Sequence, residues 1–275
     1  MKSILLAGVA VADFVFYIED MPRKSEKYRA HDAFFCSGGN AANSAVAVSR
    51  LGGNAILAAR IGSDVIGDLI VGDLEKENID TSIIHRVEGG QSSFSSIYID
   101  RAGERQILNF RGRNLGENAD WLVGAPKLDA LLADNRWPPL TRRAIEIATS
   151  GNVPIVIDAE PPFDRDVVQG ATHVAFSYQG LADFTGIKDT QSALMTAAKT
   201  LETWVCVTDG ENGTFFIENG VPVNVPAVKV EAVDTLGAGD VWHAAFTLML
   251  TECVDLRHAI HFANSAGTIK CTRSG

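Results

Sequence analysis

Short apolar runs alternate with longer stretches of helical spacing through most of the 275 residues. Residues 4–11 (ILLAGVAV) read as a buried strand, and 40–53 (NAANSAVAVSRLGG) as a helix closed by glycine. Residues 55–62 (AILAARIG) form the next expected strand, and 64–79 an amphipathic helix with a polar end. The segments 128–134, 139–151, 153–160, 172–177 and 203–210 continue the alternation. Strands and helices taking turns in this way predict a mainly parallel sheet covered by helices. Two segments break the rhythm. Residues 14–37 are polar and mixed, and 92–111 read as a hairpin about a turn at 100–103. Together they predict a small antiparallel flap inserted into a single larger domain. The helical run 256–272 meets no closing element, so a short further tail is expected.

Composition narrows the class. Hydrophobic residues make up 46%, enough for a sizeable core, yet no apolar run has the length a bilayer demands. Asp13 interrupts the first apolar run and no cleavage site follows, so the start reads as a strand and not as a signal peptide. Cys36, Cys206, Cys253 and Cys271 are widely spaced, which predicts free thiols of a cytoplasmic protein and argues against zinc. The net charge of −10 comes with no basic run of the kind that holds nucleic acid. An acidic surface repels phosphorylated ligands at long range, so any anion site must be built locally from specific donors.

The segment VDTLGAGDVWHAAF, residues 233–246, offers such donors. Glycines weaken a helix start unless something else requires them. Phosphoryl transfer to an alcohol needs a positioned base for the hydroxyl and fixed donors for charge on the transferring oxygens. The amides of Gly237, Ala238, Gly239 and Asp240 can line an anion hole at a helix N-terminus, and the Asp240 carboxylate can serve as the base. An ordinary capped helix after a glycine turn is the plain alternative. A second glycine turn at 38–40 feeds the helix carrying Asn40 and Asn43, of which Asn40 can equally be a cap alone. A third element, VTDGENG at 207–213, resembles a loop at the carboxyl edge of a sheet, where nucleotides bind, or a plain strand-to-hairpin turn.

The segments GGNAANSAVAVSRLGGNAILAARIGSDVIGD and DTLGAGDVWHAAF resemble the two signatures of the ribokinase-like, or PfkB, carbohydrate kinases, and the likeness covers nearly the whole chain. It implies an α/β, three-layer αβα sandwich with a mainly parallel central sheet and a small antiparallel β lid. It implies ATP and Mg²⁺ as cofactors, with a monovalent cation such as K⁺ in some members, and a homodimer clasped through the lid. By the same resemblance Asp240 is the catalytic base, with Gly237, Ala238 and Gly239 around the transferring phosphoryl group. Asp13, Gly39, Asn40 and Asn43 match sugar-contacting positions. Thr208, Gly210, Gly213 and Thr235 match nucleotide-binding positions, Asp234 belongs to the same signature, and Asn264 lies in the helix flanking the adenine. One departure stands out: Ser177 and Gly180 occupy the places of an Asn-x-x-Glu segment that organises Mg²⁺ in many members, so the metal's protein contacts are open.

The acceptor is the least determined part. SEKYRA, GERQILNF, LLADNRW, HVAFSYQGLADFTG and TIKCTRSG resemble the branch of the family acting on sulfofructose, in which the positions of Lys27, Asn109 and Arg136 hold a sulfonate. Fork, point charge and neutral donor suit a terminal anionic group such as that of 6-deoxy-6-sulfofructose. Each residue also has a plain alternative: an exposed loop lysine, a polar strand position on the lid, an arginine stem covering Trp137. A nucleoside kinase and a catalytically silent sugar-binding module share the same turns and remain the alternatives.

Overall fold

The computed structural model describes residues 1–124, 127–252 and 254–273. Its main sheet has eight strands in the order β14-β13-β12-β11-β10-β9-β1-β4. Six of them are parallel: β1 (Ser3–Ala7), β4 (Asn54–Ala58), β9 (Ala130–Asp134), β10 (Ile155–Ala159), β11 (His173–Ser177) and β12 (Trp204–Thr208). The antiparallel pair β13 (Thr214–Glu218) and β14 (Val221–Val225) completes one edge. Because helices cover both faces, these strands are apolar on successive residues and do not alternate with polar ones. Ile4, Leu6, Leu132 and Val156 enter one core, Leu5, Ala7, Leu131 and Ile157 the other.

The first core is roofed by α1 (Asn40–Arg50), α6 (Ala238–Leu250) and α7 (Leu256–Cys271), the second by α3 (Pro138–Gly151), α4 (Tyr178–Thr185) and α5 (Thr190–Leu201). This is the three-layer αβα arrangement. Helix α2 (Val65–Lys76) packs beside the lid, capped by Asp64, whose carboxylate accepts from the Gly67 amide. The short strands β5 (Arg60–Gly62) and β6 (His85–Val87) pair beside it.

The lid is a four-stranded sheet of β2 (Val11–Tyr17), β3 (Asp32–Gly38), β7 (Phe94–Ile99) and β8 (Arg105–Phe110), in the order β3-β2-β7-β8. Its two outer pairings are antiparallel and β2 runs parallel to β7. The expected hairpin turn is closed by the Gly103 amide donating to the Asp100 carbonyl. The apolar run at 4–11 is not one strand. It is split at Gly8, where the Asp134 carboxylate fills the space a side chain would take, so β1 ends in the main sheet and β2 begins in the lid. Cys36, Cys206 and Cys271 are free thiols, and Cys253 lies outside the described residues. No helix among the described residues is long and apolar enough to cross a membrane.

Candidate active site

The parallel register of β9 and β10 sets Asp134 opposite Asp158 at the carboxyl ends of the two strands. Side chains alternate along each strand, so both acids share the face of Leu132 and Val156, beneath α1 and α6. Both are buried. An acid ending an apolar strand, as in LLAD and IVID, was a legible signal that the motif reading passed over.

Each carboxylate is held. Asp134 accepts from the Val9 amide at 2.8 Å and the Arg136 amide at 3.0 Å. Asp158 accepts from Asn40 Nδ2 at 2.8 Å. Burial pushes the Asp134 carboxyl up to about 6, against the pull of its two amide donors and with a further push from Asp158. The folded chain therefore keeps this proton to higher pH than the unfolded chain, whose aspartates titrate near 4. Below about pH 4 both states are protonated and the group contributes nothing; between about 4 and 6 stability falls as pH rises; above 6 the full burial cost applies, on the order of 3 kcal/mol. Urea midpoints at pH 4.5 and 7 check this: the drop between them is expected to be smaller in Asp134→Asn than in the unaltered protein.

Asp240 lies in the first turn of α6, half-buried beside this pair. Gly237 caps the helix with φ 74°, a left-handed conformation that glycine adopts without penalty. Asn43 Nδ2 donates to Asp240 Oδ2 at 2.7 Å, and the Ser44 hydroxyl donates to the Asp240 carbonyl at 3.2 Å. Helix α1 thus fixes both ends of the residue. Burial raises the Asp240 carboxyl well above the usual carboxylate range; Asp158, Asp134 and Glu160 push the same way, and the Asn43 hydrogen bond opposes them. Among the described residues the amides of Gly237, Gly239 and Asp240 donate to no protein acceptor, whereas that of Ala238 donates to the Thr235 carbonyl at 3.2 Å. Three of the four expected anion-hole donors are free, and the space above Gly239 is open. Ala238 is the exception to the expected set, its amide being spent on closing the turn.

Asn43, expected on the sugar, thus donates to Asp240, and Asn40 donates to Asp158. Gly39 begins α1 with φ 93°, its α-carbon pressed against the Val9 carbonyl. On the lid, the registers of β2, β7 and β8 align Asp13, Ser95 and Asn109 in one row. Ser95 hydrogen bonds Asp13 and accepts from Asn109 Nδ2 at 3.1 Å. Burial raises the Asp13 carboxyl and the Ser95 hydrogen bond partly offsets that. From the same face of β8, Arg105 reaches Thr235 Oγ1 at 3.1 Å and Asp234 Oδ1 at 3.4 Å, joining the lid to the loop before the anion hole. Lys270 holds Asp234 from the other side at 2.8 Å.

The trio expected around an anionic substituent does not assemble. Arg136 donates to the Pro161 carbonyl at 3.0 Å and pairs with Glu160 at 3.3 Å. Lys27 is exposed in the loop between β2 and β3 and, among the described residues, makes no ion pair. Asn109 is tied to the Asp13 row.

On the nucleotide side, Thr208 ends β12 and Gly210 opens the turn that follows it. Gly213 closes that turn with its α-carbon against the backbone of residues 225–227, too close for any side chain. Asn264, expected beside the adenine, spends its amide inside the protein. Its Oδ1 accepts from Thr214 at 2.7 Å and Trp242 at 2.8 Å, and its Nδ2 donates to the Val225 carbonyl at 2.9 Å. It ties α7 to α6 and the edge of the sheet. Ser177 Oγ accepts from the Gly180 amide as the cap of α4. The described residues hold no group of three or more His, Cys, Asp or Glu arranged for a metal.

The chain is similar to ribokinases and fructokinases over nearly its full length. It is 25% identical to a ribokinase of Bacillus subtilis (strain 168) over 283 residues, covering 100% of this chain and 94% of the relative. It is 26% identical to a probable fructokinase-2 of Arabidopsis thaliana, covering 98% and 91%. A crystal structure of a provisionally assigned ribokinase from Agrobacterium tumefaciens superposes with TM-score 0.92 at 32% identity, covering 100% of this chain and 92% of the other. The model of the pfkB family carbohydrate kinases matches residues 1–275. With that match spanning every element that builds the glycine turns and the lid, the protein belongs to the pfkB family of carbohydrate kinases.

Proposed function

We propose that this ATP-dependent sugar kinase phosphorylates the primary hydroxyl of a neutral sugar. The observation that carries the reading is the meeting of three free main-chain amides with the Asp240 carboxylate at one turn. Asp240 takes the hydroxyl proton as the hydroxyl oxygen forms its bond to the γ-phosphorus. The bond from that phosphorus to the β–γ bridging oxygen breaks, and ADP leaves. The amides of Gly237, Gly239 and Asp240 face the charge that gathers on the transferring oxygens. Asp13, with Ser95 and Asn109 behind it, orients the sugar from the lid side, and Asn40 does so from α1. Thr208, Gly210, Gly213 and Thr235 border the nucleotide. Magnesium travels on the triphosphate oxygens and no step is routed through a protein-held metal; a monovalent cation such as K⁺ is tested by adding it to the assay.

Two observations favour a neutral acceptor. Arg136, the arginine expected at an anionic substituent, is already engaged by Glu160 and the Pro161 carbonyl. The surrounding side chains are carboxylates, which repel a second anion. Relatives described as ribokinase, deoxyribokinase and probable fructokinase point the same way. An acceptor bearing a sulfonate, such as 6-deoxy-6-sulfofructose, would have to draw Arg136 away from Glu160 and recruit Lys27.

An ADP-release screen over ribose, fructose, fructose 6-phosphate, 6-deoxy-6-sulfofructose and adenosine decides the acceptor. Ribose or fructose is expected to give the highest kcat/KM. Preference for the sulfonated ketose, with its KM rising about tenfold or more in Arg136→Ala, overturns the neutral reading and assigns Arg136 to the anion. Preference for adenosine makes it a nucleoside kinase, and silence with every acceptor makes it a binding module. Exposed Ile107 and Leu108 on the lid edge strand β8 support lid-to-lid dimerisation in a cytoplasmic setting, measurable as mass by light scattering.

A further inference from the structure

We propose that His243 is a positioning residue for the transfer step, the ring that couples the anion-hole turn to Asn40 on the acceptor side. The proposal rests on the kinase reading and concerns a residue with no part in it so far. His243 stands one turn after Asp240 on α6, with its side chain 5% exposed. Its Nδ1 lies 2.8 Å from the Gly239 carbonyl. A carbonyl only accepts, so Nδ1 carries a hydrogen. Nε2 faces Asp158 Oδ1 at 3.5 Å and has no hydrogen-bond partner among the described residues. The other oxygen of Asp158 receives Asn40.

A bare Nε2 lone pair turned toward a buried carboxylate is the costly arrangement, since it leaves two acceptors facing each other out of reach of water. A hydrogen on Nε2 turns the same geometry into a bridge. It runs from the Gly239 carbonyl through the ring and Asp158 to the Asn40 amide. One end is in the turn that receives the phosphoryl group, and the other is on the helix that faces the acceptor. Charged groups surround the bridge. Asp158 and Asp134 come from the strand ends, Glu160 from the loop after β10, and Asp240 from α6 itself. Arg136 is paired to Glu160. The ring thus stands between the Gly239 carbonyl and Asp158, the one imidazole set within this group of acids among the described residues.

Two isosteric replacements separate the halves of the bridge. In His243→Gln the amide nitrogen replaces Nε2 and still donates to Asp158; in His243→Asn it replaces Nδ1 and donates only to the Gly239 carbonyl. We expect acceptor KM to rise about tenfold in His243→Asn and far less in His243→Gln, with equal melting temperatures. Equal acceptor KM values in the two variants overturn the proposal. If either variant fails to fold, Asp158→Asn probes the same contact, and an unchanged acceptor KM there overturns it equally. An imidazole ¹⁵N spectrum of the unaltered protein needs no turnover: a hydrogen on Nε2 is expected, and its absence overturns the proposal. ADP release by the unaltered protein tests the kinase reading separately.

Discussion

Replacing Asp240 by asparagine is expected to lower kcat by about 10² to 10⁴-fold, the usual worth of a positioned base, while ATP binds as before. The change keeps the shape of the side chain and removes only its ability to take a proton. The free amides of Gly237, Gly239 and Asp240 do not depend on the carboxylate, so the nucleotide keeps its donors. Calorimetric titration with ATP and steady-state ADP release measure the two halves. The pH profile adds a second signature. Because burial and neighbouring acids raise the Asp240 carboxyl well above the ordinary range, kcat/KM of the unaltered enzyme is expected to climb with pH through that raised value. The residual rate of Asp240→Asn is expected to lack that limb. Near-normal turnover in the variant would remove Asp240 from the base position and with it the chemistry proposed here.

The second large effect is expected from Gly39→Ala. At φ 93° and ψ 146° the backbone stands in a region open almost only to glycine, a strain of about 1–3 kcal/mol for any other residue. A Cβ there would lie 2.5 Å from the Val9 carbonyl oxygen, which is backbone and cannot rotate away. Val9 is itself anchored, its amide donating to Asp134 at 2.8 Å. Overpacking against such a neighbour adds about 1–3 kcal/mol. The melting temperature is expected to fall on the order of 10 °C, at about 2–4 °C per kcal/mol for a chain of this size. The same shift moves the start of α1, and with it Asn40 on Asp158 and Asn43 on Asp240. A loss of turnover beyond the unfolded fraction, read at a temperature where the variant is still folded, is the expected functional result. An unaltered melting temperature would show that this turn is looser than its contacts indicate.

The anion-hole turn was legible because it is local. Gly237, Gly239, Asp240 and the helix behind them lie within a few residues, so their spacing alone fixes amides and carboxylate at one end of α6. The same holds for the sheet, whose strands are apolar on both faces and announce themselves as continuous runs. Locality also limits what the chain order shows. Residues 4–11 are apolar throughout, but only the approach of Asp134, more than 120 residues away, explains why Gly8 divides them between two sheets. Asn264 sits at a family ligand position, yet Thr214, Trp242 and the backbone of β14 converge on its amide from three separate elements. Arg136 has the right chemistry for an anion, and a carboxylate 24 residues on takes it first.

The order of residues alone determined an α/β chain with a parallel sheet, two glycine turns that start helices, and a carboxylate beside the amides of a helix start, because periodicity and turn chemistry act over short distances. Only the tertiary structure decided that Asp134 and Asp158 stand side by side, that Asn43 serves Asp240, that Asp13 shares a row with Ser95 and Asn109, and that His243 looks onto Asp158. Each of these depends on strand register or on helix packing across the sheet, where residues far apart in the chain meet and burial sets the proton affinity of what they carry.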